Sequence, residues 1–145
     1  MKKVLALVLA LAMFLSLASF ASAEGFSGEV KIWVAEATVD FTKEQVEAFQ
    51  AAHPEYANMT VVVEPVGEGD AAGKMITDVE AGADIFGFAQ DQLARLVAAG
   101  ALEEVEPGNA EVVKAENDAG SVGAVTLGGT MYAYPMTSDN GYFLY

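Results

Sequence analysis

The chain has 145 residues, with 21 acidic side chains against 7 basic ones, a formal charge of −14 and no cysteine. The missing thiols exclude disulfides, thiol catalysis and thiolate metal sites. So acidic a surface repels phosphate backbones and anionic lipid, which argues against nucleic acid as a partner and against electrostatic adsorption to membranes.

Residues 1–23 read as an export signal. Lys2 and Lys3 form a positive start, Val4 to Leu17 an apolar core, and Ala21-Ser22-Ala23 an A-x-A cleavage site. The apolar core falls short of the ~20 residues a spanning helix needs. Cleavage there removes two lysines and no acid, taking the formal charge from −14 to −16 and leaving one small domain, 24–145. The sequence stops at Asn140–Tyr145, inside what reads as a strand after an Asn-Gly turn, so the chain is expected to be the start of a longer protein.

Val30–Ala35 is β-branched and aromatic and predicts the first strand, followed by a polar loop over 36–40. Thr42 with Gln45 fits a capping box that opens a helix over about 43–52, with Phe41, Val46 and Phe49 on its buried side and His53-Pro54 ending it. Met59–Pro65 is the second strand. Ala72, Met75, Ile76, Val79 and Ala83 then mark one apolar helical stripe. Asp84–Ala89 predicts a third strand, and the helix after it buries Leu93, Leu96 and Val97, with Gly100 placed for a left-handed cap. This βαβαβα order implies right-handed crossovers and a parallel sheet. Beyond it the pattern predicts a short helix near 110–117, then strands over 122–127 and 131–135 around a Gly128-Gly129 hairpin turn.

Several motifs fall away on inspection. Gly67–Met75 resembles a phosphate loop, but Glu68 stands where its first glycine belongs and Met75 where magnesium needs a hydroxyl. His53 is the sole histidine and reads as a solvated loop residue rather than a catalytic base. No spacing suits a metal, and no cofactor motif is present.

The acids and aromatics at strand ends are the better candidates. Gln90-Asp91-Gln92 puts a carboxylate and two amides at the C-terminal end of the third strand, where open α/β sheets hold ligands. Glu36 follows the first strand and Asp139 follows Tyr134-Pro135, while Trp33, Phe88 and Tyr134 lie near the same ends. Carboxylates accept hydrogen bonds from hydroxyls, and aromatic faces cover the apolar face of a sugar ring. Each residue also has a plainer reading: Asp91 as a helix N-cap, Trp33 and Phe88 as core, Asp139 as a turn residue.

The sequence resembles the N-terminal lobe of the family 1 extracellular solute-binding proteins of ABC importers, nearest the maltose/maltodextrin-binding group. The matching pieces are Val30-Lys31-Ile32-Trp33, Ala81–Phe86, Phe88-Ala89-Gln90-Asp91-Gln92-Leu93, Ala98–Leu102 and Gly128–Pro135, which runs like the group's G-K-L-Y-A-Y-P hairpin. The resemblance implies an incomplete α/β lobe of the type II periplasmic-binding-protein kind, a mostly parallel sheet flanked by helices. It also implies a monomer in the periplasm or on the outer face of the envelope. Such a protein closes two lobes over an oligosaccharide and docks on membrane permease subunits, without catalysis. By position, Asp91 would accept sugar hydroxyls, Phe88 would be the aromatic beside it, and Asp139 the acid four residues after the hairpin proline. Glu36-Ala37-Thr38 stands where the group has an Asp-Lys pair, and Phe88 and Asp139 stand where its members often carry Trp and Glu. The remaining alternatives are another solute for the same fold, such as a different oligosaccharide, a polyamine or a metal chelate, or a glycoside hydrolase using Asp91 and Asp139.

Overall fold

The computed structural model describes residues 25–136. The export-type leader, Asp139, the Asn140-Gly141 turn and the terminal strand expected after it lie outside the described residues.

Strand β1 (Glu29–Val34) is central. It pairs in parallel with β2 (Thr60–Pro65) over their whole length, from Glu29 opposite Thr60 to Val34 opposite Pro65. On its other edge it pairs in parallel with β3 (Ile85–Phe86), Ile32 opposite Ile85 and Trp33 opposite Phe86. The order β2-β1-β3 means that the chain steps one way after β1 and passes back over it after β2. Right-handed crossovers then put the two connecting helices on opposite faces. These helices are α1 (Val39–Ala52) and α2 (Glu68–Thr77). The parallel sheet flanked by helices is the fold class read from the sequence.

The main core lies on the α2 face. Trp33, Val66, Ala71, Ala72, Met75, Ala83 and Leu96 are buried together, with Phe86, Phe88 and Leu102 packed against them. Leu96 belongs to α3 (Leu93–Ala98), which closes in a Schellman motif. Its Gly100 sits at φ +68, Gly100 N–H donates to the Val97 carbonyl, and Ala101 N–H donates to that of Leu96. A second, smaller core joins Ala110 and Val113 of α4 (Pro107–Glu116) to Val125 and Met131.

Several elements differ from the sequence reading. Thr42 does not cap α1. The helix starts at Val39, directly after a 3-10 turn over Glu36–Thr38, and the Thr42 hydroxyl donates back to the Thr38 carbonyl at 2.9 Å. No residue of α1 is buried. Val46 is half-buried, whereas Phe41 and Phe49 are 61% and 41% exposed. Phe49 stacks instead on its own turn, with ring centroids 4.6 Å from His53 and 5.3 Å from Tyr56. The apolar stripe of α2 also runs past its end: the helix stops at Thr77 and Val79 is exposed.

β3 is two residues rather than six. Asp84 begins it with a side-chain substitute for a ladder bond: its N–H donates to the Lys31 carbonyl, and its carboxylate accepts from Lys31 N–H at 2.7 Å. After Gly87, whose N–H reaches the Trp33 carbonyl at a long 3.4 Å, the chain leaves the ladder.

The strand expected over 122–127 is largely helix. Here α5 (Ala119–Ala124) precedes a minimal hairpin of β4 (Thr126–Leu127) and β5 (Thr130–Met131). Gly128 and Gly129 turn it at φ +62 and +91, the paired positive values a type I′ turn requires. Asp118 is the cause of α5. Its Oδ1 accepts from Gly120 and Ser121 N–H at 2.8 and 3.1 Å, and its Oδ2 accepts from the Ser121 hydroxyl at 2.6 Å.

These bonds, the Ser121 hydroxyl foremost, hold the Asp118 carboxyl below its ordinary value of 3.8. A depressed carboxyl stabilises the folded state above its unfolded pKa and loses that contribution as pH falls through the folded one. Amide exchange at Ser121 and Val122 is therefore expected to accelerate as pH drops below 3.8, beyond the chemical rate. Asp118→Ala should remove that extra pH dependence.

Candidate functional site

The loops that follow the three strands form one rim at the C-terminal end of the parallel sheet. Glu36 stands on it after β1, Glu68 after β2, and Phe88 and Asp91 after β3. A parallel sheet sends all these loops to the same end, so three separate sequence positions converge without any long-range pairing of their own.

Asp91 occupies a one-turn 3-10 helix, Gln90–Gln92, that begins at Ala89. Gln92 N–H donates to the Ala89 carbonyl at 2.9 Å, so the turn closes on backbone alone. Asp91 caps neither this turn nor α3, whose N-cap is Gln92. Among the described residues its exposed carboxylate has no hydrogen-bond or ionic partner. Gln92 is oriented by Arg95, whose Nη1 donates to its Oε1 at 2.7 Å. Phe88 is half-buried, packed against the main core with its ring centroid 5.7 Å from that of Phe86.

The other candidates are placed differently. Trp33 lies below the rim in the core, only 6% exposed. Its indole N–H donates to Glu64 Oε2 at 2.8 Å, across the β1–β2 pair that puts the two residues opposite each other, and Lys74 Nζ lies 5.8 Å from the ring centroid. Trp33 also touches a groove of about 680 Å³ along α2, lined with Gly69, Gly73, Lys74 and Thr77. Tyr134 is 58% exposed and borders a shallow depression of about 270 Å³ against α4, with Asn109, Glu116 and Asn117. Neither hollow includes Glu36, Phe88 or Asp91. The rim is an open surface that brings carboxylates and amides beside the Phe88 ring. That set accepts and donates hydrogen bonds, and it offers no nucleophile–base pair.

Sequence reasoning did not count Glu68 as a candidate and weighed it only as a departure from a phosphate loop. Its signal was available: Glu68 follows β2 as Glu36 follows β1.

Among curated proteins none matches the sequence. Solved structures do. A maltodextrin-binding protein from L. casei BL23, without ligand, is 32% identical with a TM-score of 0.69, over 76% of this chain and 29% of that one. A cyclo/maltodextrin-binding protein complexed with maltotetraose is 27% identical with a TM-score of 0.61, over 76% and 28%. At 18% identity and a TM-score of 0.60, a maltose-binding periplasmic protein from Listeria monocytogenes shares the fold, over 74% and 26%. The chain thus spans less than a third of the length of these neighbours. The sequence pattern of the bacterial extracellular solute-binding proteins matches residues 44–145, and the chain belongs to that family.

Proposed function

We propose that residues 24–145 are the N-terminal lobe of an exported sugar-binding component of an ABC importer, with malto-oligosaccharides as the ligand class. Residues 1–23 would be its export signal, removed at Ala23. The observation that carries the reading is Asp91, a carboxylate without a partner among the described residues, held on a backbone-closed turn after a parallel strand and near half-buried Phe88. Two similar structures, at 32% and 27% identity, are described as maltodextrin binders, and one of them holds maltotetraose.

In this reading the protein does no chemistry. Ligand hydroxyls donate to Asp91 and the rim acids, and Phe88 covers a ring face. Closure of two lobes then gives the permease subunits a state to recognise, because the ligand contacts both walls only in the closed form. Asp139 and Tyr134 remain candidate contacts, Tyr134 from the ledge beside α4. Trp33 acts as support for the rim rather than as a stacking surface, since its ring is buried.

Calorimetric titration of the product of the whole open reading frame with maltotriose tests this. Saturable heat with the sugar recovered intact is the expected result. Absence of heat with maltotriose and every other oligosaccharide would sink the sugar assignment, and released glucose would favour a hydrolase instead.

A further inference from the structure

Gly87 follows β3 without a side chain of its own, and a side chain from a different element lies beside it. A Cβ built on Gly87 would lie 3.3 Å from Glu68 Cγ, 3.8 Å from Met136 Cε and 3.9 Å from Glu68 Oε1. The exposed Glu68 side chain therefore lies toward the end of β3, beside Gly87, the residue before Phe88. Among the described residues it has no hydrogen-bond or ionic partner.

An acid in the first turn of a helix is favoured by the helix dipole wherever its side chain points. The dipole accounts for the residue type but not for its lying over Gly87. The surroundings are one-sided as well. Among the described basic residues, Lys31, Lys43, Lys74, Arg95 and Lys114, none forms an ion pair with Glu68. A ligand entering over Phe88 meets the Asp91 turn, where Arg95 is engaged by Gln92 Oε1, and Glu68, which has no ionic partner among the described residues.

We propose that Glu68 is a specificity-determining residue of the rim, selecting uncharged polyhydroxy ligands over anionic ones. This rests on the sugar-binding reading above. A hydroxyl donates to the Glu68 carboxylate in a charge-assisted hydrogen bond, whereas a ligand phosphate or carboxylate placed there faces like charge. The bare Gly87 is part of the device, because a Cβ there would press on the Glu68 side chain.

The test uses the whole open reading frame and two probes, maltotriose and the same trisaccharide bearing a 6-phosphate at its non-reducing end. Wild type should prefer the neutral sugar. Glu68→Gln, close in shape, should weaken maltotriose about 10–100-fold, the range for losing one hydrogen bond to a charged group. It should weaken the phosphorylated sugar less, or strengthen it. Gly87→Ala should also weaken maltotriose, and should have no further effect in a Glu68→Ala background, the signature of two residues acting through one contact. Should Gly87→Ala fail to fold, the Glu68→Gln comparison decides alone.

Unchanged affinities in Glu68→Gln, or equal weakening of both sugars, overturn the inference. If Asp91→Asn still loses maltotriose binding in that case, the sugar-binding reading stands without it. A wild type that binds no saccharide overturns both.

Discussion

Trp33→Ala is expected to lower the free energy of unfolding by about 3–5 kcal/mol, the usual range for truncating a large buried aromatic. Three effects add. The indole is 6% exposed and touches the main core formed with α2 and α3, so its loss leaves a cavity between sheet and helix that the short β3 side can only partly refill. Glu64 loses the indole donor at 2.8 Å, and Lys74 loses the ring face 5.8 Å away. Trp33→Phe keeps most of the volume and removes only the donor, so it should cost about 1–2 kcal/mol. Urea unfolding of wild type and both variants checks the order. A Trp33→Ala protein within about 0.5 kcal/mol of wild type would mean that the indole is not part of the core.

Asp91→Ala should do the opposite: large for binding, negligible for stability. If its carboxylate accepts two hydroxyls of a sugar ring, their loss should weaken maltotriose at least about 100-fold, and Asp91→Asn, which keeps one acceptor, somewhat less. Neither variant should shift the unfolding midpoint, because the turn around Asp91 closes through Gln92 N–H and the Ala89 carbonyl, without the side chain. The capping alternative predicts the reverse, a stability loss of about 1 kcal/mol with affinity intact. One calorimetric titration and one thermal melt per variant separate the two roles.

The parallel sheet was legible because its two long strands are written in β-branched residues. Val30–Val34 and Thr60–Pro65 admit little else, and the carboxylate and two amides that interrupt the apolar pattern after Ala89 coincide with the 3-10 turn that follows β3. The sequence misled where short apolar runs carry no period. Val122–Leu127 looks like a strand, but Asp118 and Ser121 exchange enough local hydrogen bonds to start a helix first. Asp84–Ala89 looks like a long strand, yet β1 offers it a partner for only two residues. Thr42 illustrates the same ambiguity at a helix start, since a hydroxyl that suits a cap also suits a bond back to the carbonyl four residues earlier. Which way Trp33 faced was open because alternation along a strand names two faces without saying which one a helix will cover. That choice belongs to α2, which crosses back over β1. Glu68 stayed hidden for a related reason: its position over Gly87 joins two elements that share no local pattern.

Trp33 is the chain's sole tryptophan. Its fluorescence therefore reports one nearly buried location between a carboxylate and an ammonium group. Emission from that site follows loss of the core closely. Within this chain, a sugar arriving beside Asp91 would leave that emission unchanged unless α2 moved.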